Sequence, residues 1–291
     1  MMKELFILLR PQQWIKNGFV FAPLFFSGNL LNWELFRPAI FVFVSFCLIS
    51  SSIYCFNDIC DYEVDRLHPH KCKRPIASGT INKNIGYAIM LLCAIGAFLV
   101  LAFLRNPFFL LVIIASYWIM NISYCIRLKH YAIIDVMIIA VGFVMRVFVG
   151  GLATGLWVSH WLVLMTFLIA LFLALTKRLN DFHIFAYSGI KPRKSITGYN
   201  ETFINEATSI VVSVTMVCYI MYTMSEDVVE RMGTRYVYLT SGWVLLGMFR
   251  YLQKMIVYDS SESPTKAVME DRFVQLCVCG WIISFVIILY I

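Results

Sequence analysis

The stretch "NDICDYEVDRLHPHKCKRP", residues 57 to 75, places four acidic side chains within nine positions and then turns basic. Carried on a helix, Asp58, Asp61 and Asp65 stand at i, i+3 and i+7, within about 60° of one face. Three like charges on one face repel, so the arrangement suits water or a bound cation. Hard carboxylate oxygens favour Mg2+, which keeps several waters and shares the rest of its shell with substrate phosphates. Asn57 can add a carbonyl oxygen, which makes Asn57, Asp58, Asp61 and Asp65 the candidate metal ligands; Glu63 points away from their face. Lys73 and Arg74 supply the anion-binding charge that a metal-diphosphate site needs. Solvated charge at a helix end is the plainer reading of Asp-x-x-Asp alone, and the longer pattern with "KCKRPIASG" behind it argues against that reading. Cys60, His68, His70 and Cys72 offer an alternative zinc set, but their spacing matches no compact ribbon or finger.

Other charges stand where charges are expensive. Asp135 and Arg146 fall in one apolar run, eleven residues apart, within about 20° of the same face and roughly 16 Å apart along the axis. Asp135 can reach a ribose hydroxyl or a basic neighbour. Arg146 lies deeper, where a buried interhelical ion pair competes with a substrate contact. "LALTKRLNDF" carries Lys177, Arg178 and a lone Asp181 at the end of another run, and Arg250 lies about two turns inside a third.

The elements that must hold these groups are apolar. Of the 291 residues 60% are hydrophobic and 14% charged, with a mean hydropathy of +0.78. Such a chain is a polytopic membrane protein. Apolar runs fall at 17–31, which is short for a helical span and contains Pro23, and at 38–56, 84–104, 107–126, 131–151, 160–176, 204–224, 236–257 and 272–291, which are long enough for a ~30 Å hydrocarbon core; together they predict nine spans and an all-α bundle of one domain over residues 1–291. The two longest loops, 57–83 and 177–203, follow the second and sixth spans and hint at two halves. Of the 24 Lys and Arg, eighteen fall on one set of ends and four on the other, which places the N-terminus and both long loops in the cytoplasm and the C-terminus on the opposite side. Residues 1–16 read as an interfacial helix, with Trp14 at headgroup level. The nine cysteines show no disulfide framework.

"NDICDYEVD" with "KRPIASG" resembles the first Asp-rich motif of the UbiA superfamily of intramembrane prenyltransferases. "LLRPQQWIKNGFVFAPLFFSG", the run at 130–155, "FLALTKRLND", "GMFRYL" and "SPTKAVMEDR" are similar to its polyprenyl-phosphate phosphoribosyltransferase branch, segment by segment along the chain. The resemblance implies a cytoplasm-facing site in a bacterial inner membrane and transfer of 5-phosphoribosyl from phosphoribosyl pyrophosphate to a polyprenyl phosphate, with Mg2+ as cofactor. It implies catalytic roles for Asp58, Asp61, Asp65 and Asp135. Substrate contacts fall to Lys16, Asn17, Lys73, Arg74, Lys129, Arg146, Lys177, Arg178 and Arg250. The expected partners are the two substrates and the membrane, with no nucleic acid; a homo-oligomer is compatible with all of this.

One departure from the superfamily pattern is informative. Aromatic prenyltransferases carry a second Asp-rich motif where this chain has Lys177 and Arg178. A donor with a diphosphate and a separate 5-phosphate, together with a phosphorylated acceptor, explains extra cations there. Prenyl transfer to an aromatic or quinone precursor is the alternative that shares fold and metal motif. A transporter or channel is the alternative without chemistry, and it calls for charges along a through-path.

Overall fold

The apolar runs fold as helices, and no strand occurs among the described residues. These are 2–67, 71–104, 107–188, 194–258 and 270–290 of a computed structural model. Among the described residues six helices are long and apolar enough to cross a membrane: α3 (Trp33–Cys60), α5 (Lys83–Ala102), α6 (Phe108–Ile126), α7 (Ile134–Thr154), α8 (His160–Ser188, apolar over His160–Phe185) and α9 (Glu201–Met224). Shorter helices are α1 (Met2–Leu9), α2 (Ala22–Phe26), α4 (Tyr62–Leu67), α10 (Glu226–Met232), α11 (Ser241–Ile256) and α12 (Arg272–Tyr290). Asn32, Asn82 and Asn200 cap α3, α5 and α9 by accepting from the N–H groups of Glu34, Asn84 and Phe203, which satisfies donors that a helix start leaves unpaired.

Three expectations are corrected. The expected helix over 1–16 is not continuous in its described residues 2–16: α1 stops at Leu9, Arg10 turns left-handed (φ 51°), and Leu8 is buried with Ile59 and Ile76. Residues 17–31 do not form an α-helical span; they belong to a 3-10 helix, Pro11–Phe21, followed by α2. The loop expected at 177–203 is helical as far as Ser188, because α8 runs on past its apolar part.

The chain forms two compact units. Met1–Lys129 with Gly142–Val158 make the first; His130–Val141 with Ser159–Ile291 make the second. In the first, the 3-10 helix lies antiparallel along α3. Trp14 donates to Ser51 (3.0 Å), Asn17 to the Cys47 sulfur (3.4 Å), and Phe21 stacks on Phe36 (5.3 Å). A 3-10 helix rises about 2.0 Å per residue. Pro11–Phe26 therefore extends roughly 30 Å, the depth an α-helix reaches with about 20 residues. Its close seat needs Gly150 of α7, where an added Cβ would fall 2.0 Å from the Val20 carbonyl oxygen. The core of this unit is Val20, Val42, Phe46, Ile49, Ala97, Ile114 and Val149. The second unit packs Val136, Phe172, Leu175, Ile204, Val211 and Tyr251. Large apolar residues such as Leu92, Phe109 and Val217 stay exposed on the outer faces, as lipid contact requires.

Candidate active site

Helix α3 ends at Cys60 with Asp61 as its C-cap, but the helical register survives into α4 through Asp61 N–H to Asn57 O (2.9 Å) and Asp65 N–H to Asp61 O (2.8 Å). Asp58 and Asp65 are thereby turned to one side, and both are 2% exposed. The "RPIASG" turn brings their cation. Ile76 buries itself beside Leu8, Cys55 and Ile59, Gly79 takes the left-handed conformation (φ 80°), and the chain folds back onto α3. Arg74 Nη1 then lies 3.1 Å from Asp58 Oδ1 and 2.6 Å from Asp65 Oδ2. Arg10 makes a second ion pair with Asp58 while its guanidinium stands 5.1 Å from the Tyr54 ring. Asp61 diverges, pairing with Lys129 at 2.5 Å.

The expected metal set is thus partly assembled. Two carboxylates converge on a single cationic nitrogen, a stand-in for a metal ion that two hard oxygen donors would share, so the donor chemistry fits Mg2+. Among the described residues no three acidic, His or Cys side chains converge. Asp61 would have to leave Lys129 to become a third ligand. Asn57 is half-buried beside Asp58, and Lys73 is exposed. Of the alternative zinc set, His68 and His70 lie outside the described residues.

Arg146 has no ion pair among the described residues. Its guanidinium donates to Asn17 Oδ1 (2.9 Å), the Gly142 carbonyl (2.7 Å) and the Tyr117 hydroxyl (2.7 Å). Asn17, fully buried, is the link from the 3-10 helix to this group, and Lys16 is half-buried beside it.

The second unit centres on Asp135, in the first turn of α7. Its carboxylate accepts from Arg178 Nε (2.7 Å), Ser195 Oγ (3.0 Å) and the Tyr199 hydroxyl (2.6 Å), all in the buried interior. Burial first, and then the hydrogen bond to Asp135, pushes the Tyr199 phenol up, so it stays a donor. The same hydroxyl accepts from the N–H of Ile133 (2.7 Å), a β-branched residue held at φ 69°. Arg178 also pairs with Asp181 (2.7 Å), and its buried Nη2 has no partner among the described residues. The expected cationic patch is therefore divided: Arg178 is committed to two carboxylates, and Lys177 is exposed. Arg250 pairs with Asp271 (3.1 Å), which caps α12 through the N–H groups of Phe273 and Val274, and it lines a cavity of about 430 Å3.

Sequence reasoning missed Arg10, Ser195 and Tyr199. Arg10 stands outside the acidic motif in sequence, and neither hydroxyl belongs to a charged motif; all three reach their carboxylates from more than forty residues away.

Membrane-length helices carrying matched clusters of buried carboxylates and guanidinium groups define an integral membrane protein with polar sites inside its apolar segments. The model of the UbiA prenyltransferase family matches residues 19–276, and the chain belongs to that family. It is 31% identical over 284 residues to a decaprenyl-phosphate phosphoribosyltransferase of Mycolicibacterium smegmatis, covering 94% of this chain and 88% of the relative. A like-named protein of Corynebacterium glutamicum is 28% identical, covering 97% and 86%. Among solved structures, a UbiA homolog from Archaeoglobus fulgidus bound to DMAPP and Mg2+ superposes with a TM-score of 0.72 at 17% identity, covering 99% of each chain. A UbiA homolog from Aeropyrum pernix gives 0.66 at 14%, covering 98% of each.

Proposed function

We propose that the protein transfers a 5-phosphoribosyl group from phosphoribosyl pyrophosphate to a polyprenyl phosphate. A lipid phosphate oxygen bonds to the anomeric carbon as the bond from that carbon to pyrophosphate breaks, giving polyprenylphosphoryl-5-phosphoribose with inversion. What carries this reading is the likeness, over 94% of the chain, to a relative named for that activity, together with the exposed Lys177 at the position after the sixth predicted span. A lipid phosphate is already a dianion near neutral pH and needs no general base. The protein's task is to position charge.

Asp58 and Asp65, with Asn57 and Asp61, are the residues that would hold Mg2+, which when bound neutralises charge on the departing pyrophosphate. Arg74 and Arg10 are poised on the same carboxylates and can turn to the diphosphate once a metal replaces them, with Lys73 and Lys129 in support. Lys177 is a candidate ligand for a phosphate. Arg178 and Asp135 hold the loop residues Ser195 and Tyr199 in place; Arg250 positions the start of α12.

The topology that fits the charge asymmetry has nine crossings: the 3-10 helix with α2, then α3, α5, α6, α7, α8, α9, α11 and α12. The N-terminus and the acidic motif are then cytoplasmic and the C-terminus lies opposite, in the inner membrane of a bacterium. The test is to incubate purified protein with phosphoribosyl pyrophosphate, Mg2+ and a series of polyprenyl phosphates and to look for phosphoribosylated lipid by mass spectrometry. Product from a prenyl diphosphate and an aromatic acceptor, with none from phosphoribosyl pyrophosphate, would overturn the proposal.

A further inference from the structure

Among the described residues, two cations of the first unit that are withdrawn from the surface, Arg146 and Lys16, have no carboxylate partner. Arg146, 7% exposed, sits twelve residues into α7 and makes its three hydrogen bonds to neutral groups. Its guanidinium is enclosed by the rings of Phe46 (5.2 Å), Tyr117 (4.9 Å) and Phe143 (5.3 Å). A guanidinium carries five N–H donors, so two remain. Lys16 has no hydrogen bond or ion pair among the described residues, and the charged groups that act on it are Arg146 and Arg10, both cations. By contrast Asp58, Asp61 and Asp65 are each matched by Arg10, Arg74 or Lys129.

Depth separates the two groups. Lys16 stands six residues beyond Arg10 on the 3-10 helix, about 12 Å further along it. Unmatched charge at membrane depth is costly, and an anion removes the cost. The surroundings restrict which anion. A sugar phosphate needs partners for its hydroxyls, whereas the polar side chains at Arg146, Asn17 and the Tyr117 hydroxyl, are already bonded to the guanidinium and the remaining walls are aromatic, with Phe19 edge-on to Phe143 (5.0 Å). A phosphate whose only other substituent is an isoprenoid chain suits both the charge and the walls.

We infer that Lys16 and Arg146 hold the phosphate of the acceptor lipid, while the aromatic residues around Arg146 receive the first isoprene units. The inference rests on the phosphoribosyl-transfer reading for the identity of the ligand. The cations run from the Asp58 layer inward as Arg10, Lys16 and Arg146, so a lipid phosphate held there faces the layer proposed for the donor's pyrophosphate.

The test is binding to the purified full chain in detergent, by calorimetry with EDTA present so that no divalent metal contributes. The probes are farnesyl monophosphate, ribose 5-phosphate and farnesol. Lys16→Gln and Arg146→Gln should each weaken farnesyl monophosphate binding at least about tenfold, the loss expected of one charge-assisted hydrogen bond, and leave farnesol and ribose 5-phosphate unchanged. Arg146→Lys stands in where the glutamine variant does not fold, and it should also bind more weakly because an ammonium cannot reproduce the fork. Unchanged farnesyl monophosphate affinity in folded Lys16→Gln overturns the inference. So does a loss that falls on ribose 5-phosphate, or a native protein that does not bind farnesyl monophosphate. No turnover enters this measurement, so a failure to form phosphoribosylated lipid would remove the proposed reaction and leave the binding result standing.

Discussion

Arg178 Nε lies 2.7 Å from Asp135 Oδ2, and both side chains are fully buried. A buried ion pair repays its desolvation only while its partners remain. Removing Asp135 leaves the buried Arg178 with Asp181 alone and takes the acceptor from Ser195 and Tyr199, at a cost of about 3–5 kcal/mol. Asp135→Ala should therefore lower the thermal midpoint in detergent by on the order of 5–10 °C, beyond any effect on turnover. A midpoint within a degree of the native one would show that Asp135 does not hold this end of the unit together.

The three aspartates should not be equivalent. Asp58 and Asp65 share Arg74, so Asp58→Asn and Asp65→Asn should each cost about a hundredfold or more in kcat, the scale of losing one pre-organised charge contact. Asp61→Asn should act mainly as a higher Mg2+ requirement, since Asp61 must leave Lys129 to ligate. Titrating Mg2+ at saturating substrates separates these outcomes; equal kcat losses that no Mg2+ concentration relieves in Asp61→Asn would contradict the hierarchy.

Gly150 should tolerate no side chain. A Cβ there would overlap the Val20 carbonyl, whereas one at Gly142 meets side chains, the Tyr117 ring at 3.3 Å, Arg146 at 3.5 Å and the Met120 methyl at 4.0 Å. Gly150→Ala should displace the 3-10 helix and lower both thermal midpoint and activity, with Gly142→Ala milder in both. Size-exclusion profiles with melting curves of the two variants decide the comparison.

Asp271 offers a pH signature. Burial pushes its carboxyl up, but the Val274 N–H and the Arg250 and Lys254 charges outweigh it and hold the group below the ordinary carboxylate range. A depressed pKa stabilises the folded state above the unfolded value, near 3.9, and that contribution disappears as pH falls through the lower folded value. Asp271→Asn should thus flatten the acid limb of the melting-point profile below about pH 4 and leave its slope between pH 6 and 8 unchanged. An equally steep acid limb in the variant would assign that limb to other carboxylates.

Composition and spacing already set the solvent, most of the helices and the chemistry of the acidic motif. Apolar runs longer than 17 residues have few other solutions in a bilayer, and Asp58, Asp61 and Asp65 announce their shared face through helical spacing alone. Residues 17–31 were legible as apolar but not as 3-10, because hydropathy reports length and not rise per residue; the close seat against Gly150 favours the thinner helix. The partners of the charged groups came from packing. Periodicity says which way a side chain points and nothing about what another element brings there, so Arg10 on Asp58, Lys129 on Asp61 and Arg178 on Asp135 emerged only when residues 43 to 68 positions apart were packed together. The same packing left Arg146 among neutral donors and rings. A buried charge is defined by its surroundings, and those are set by the fold.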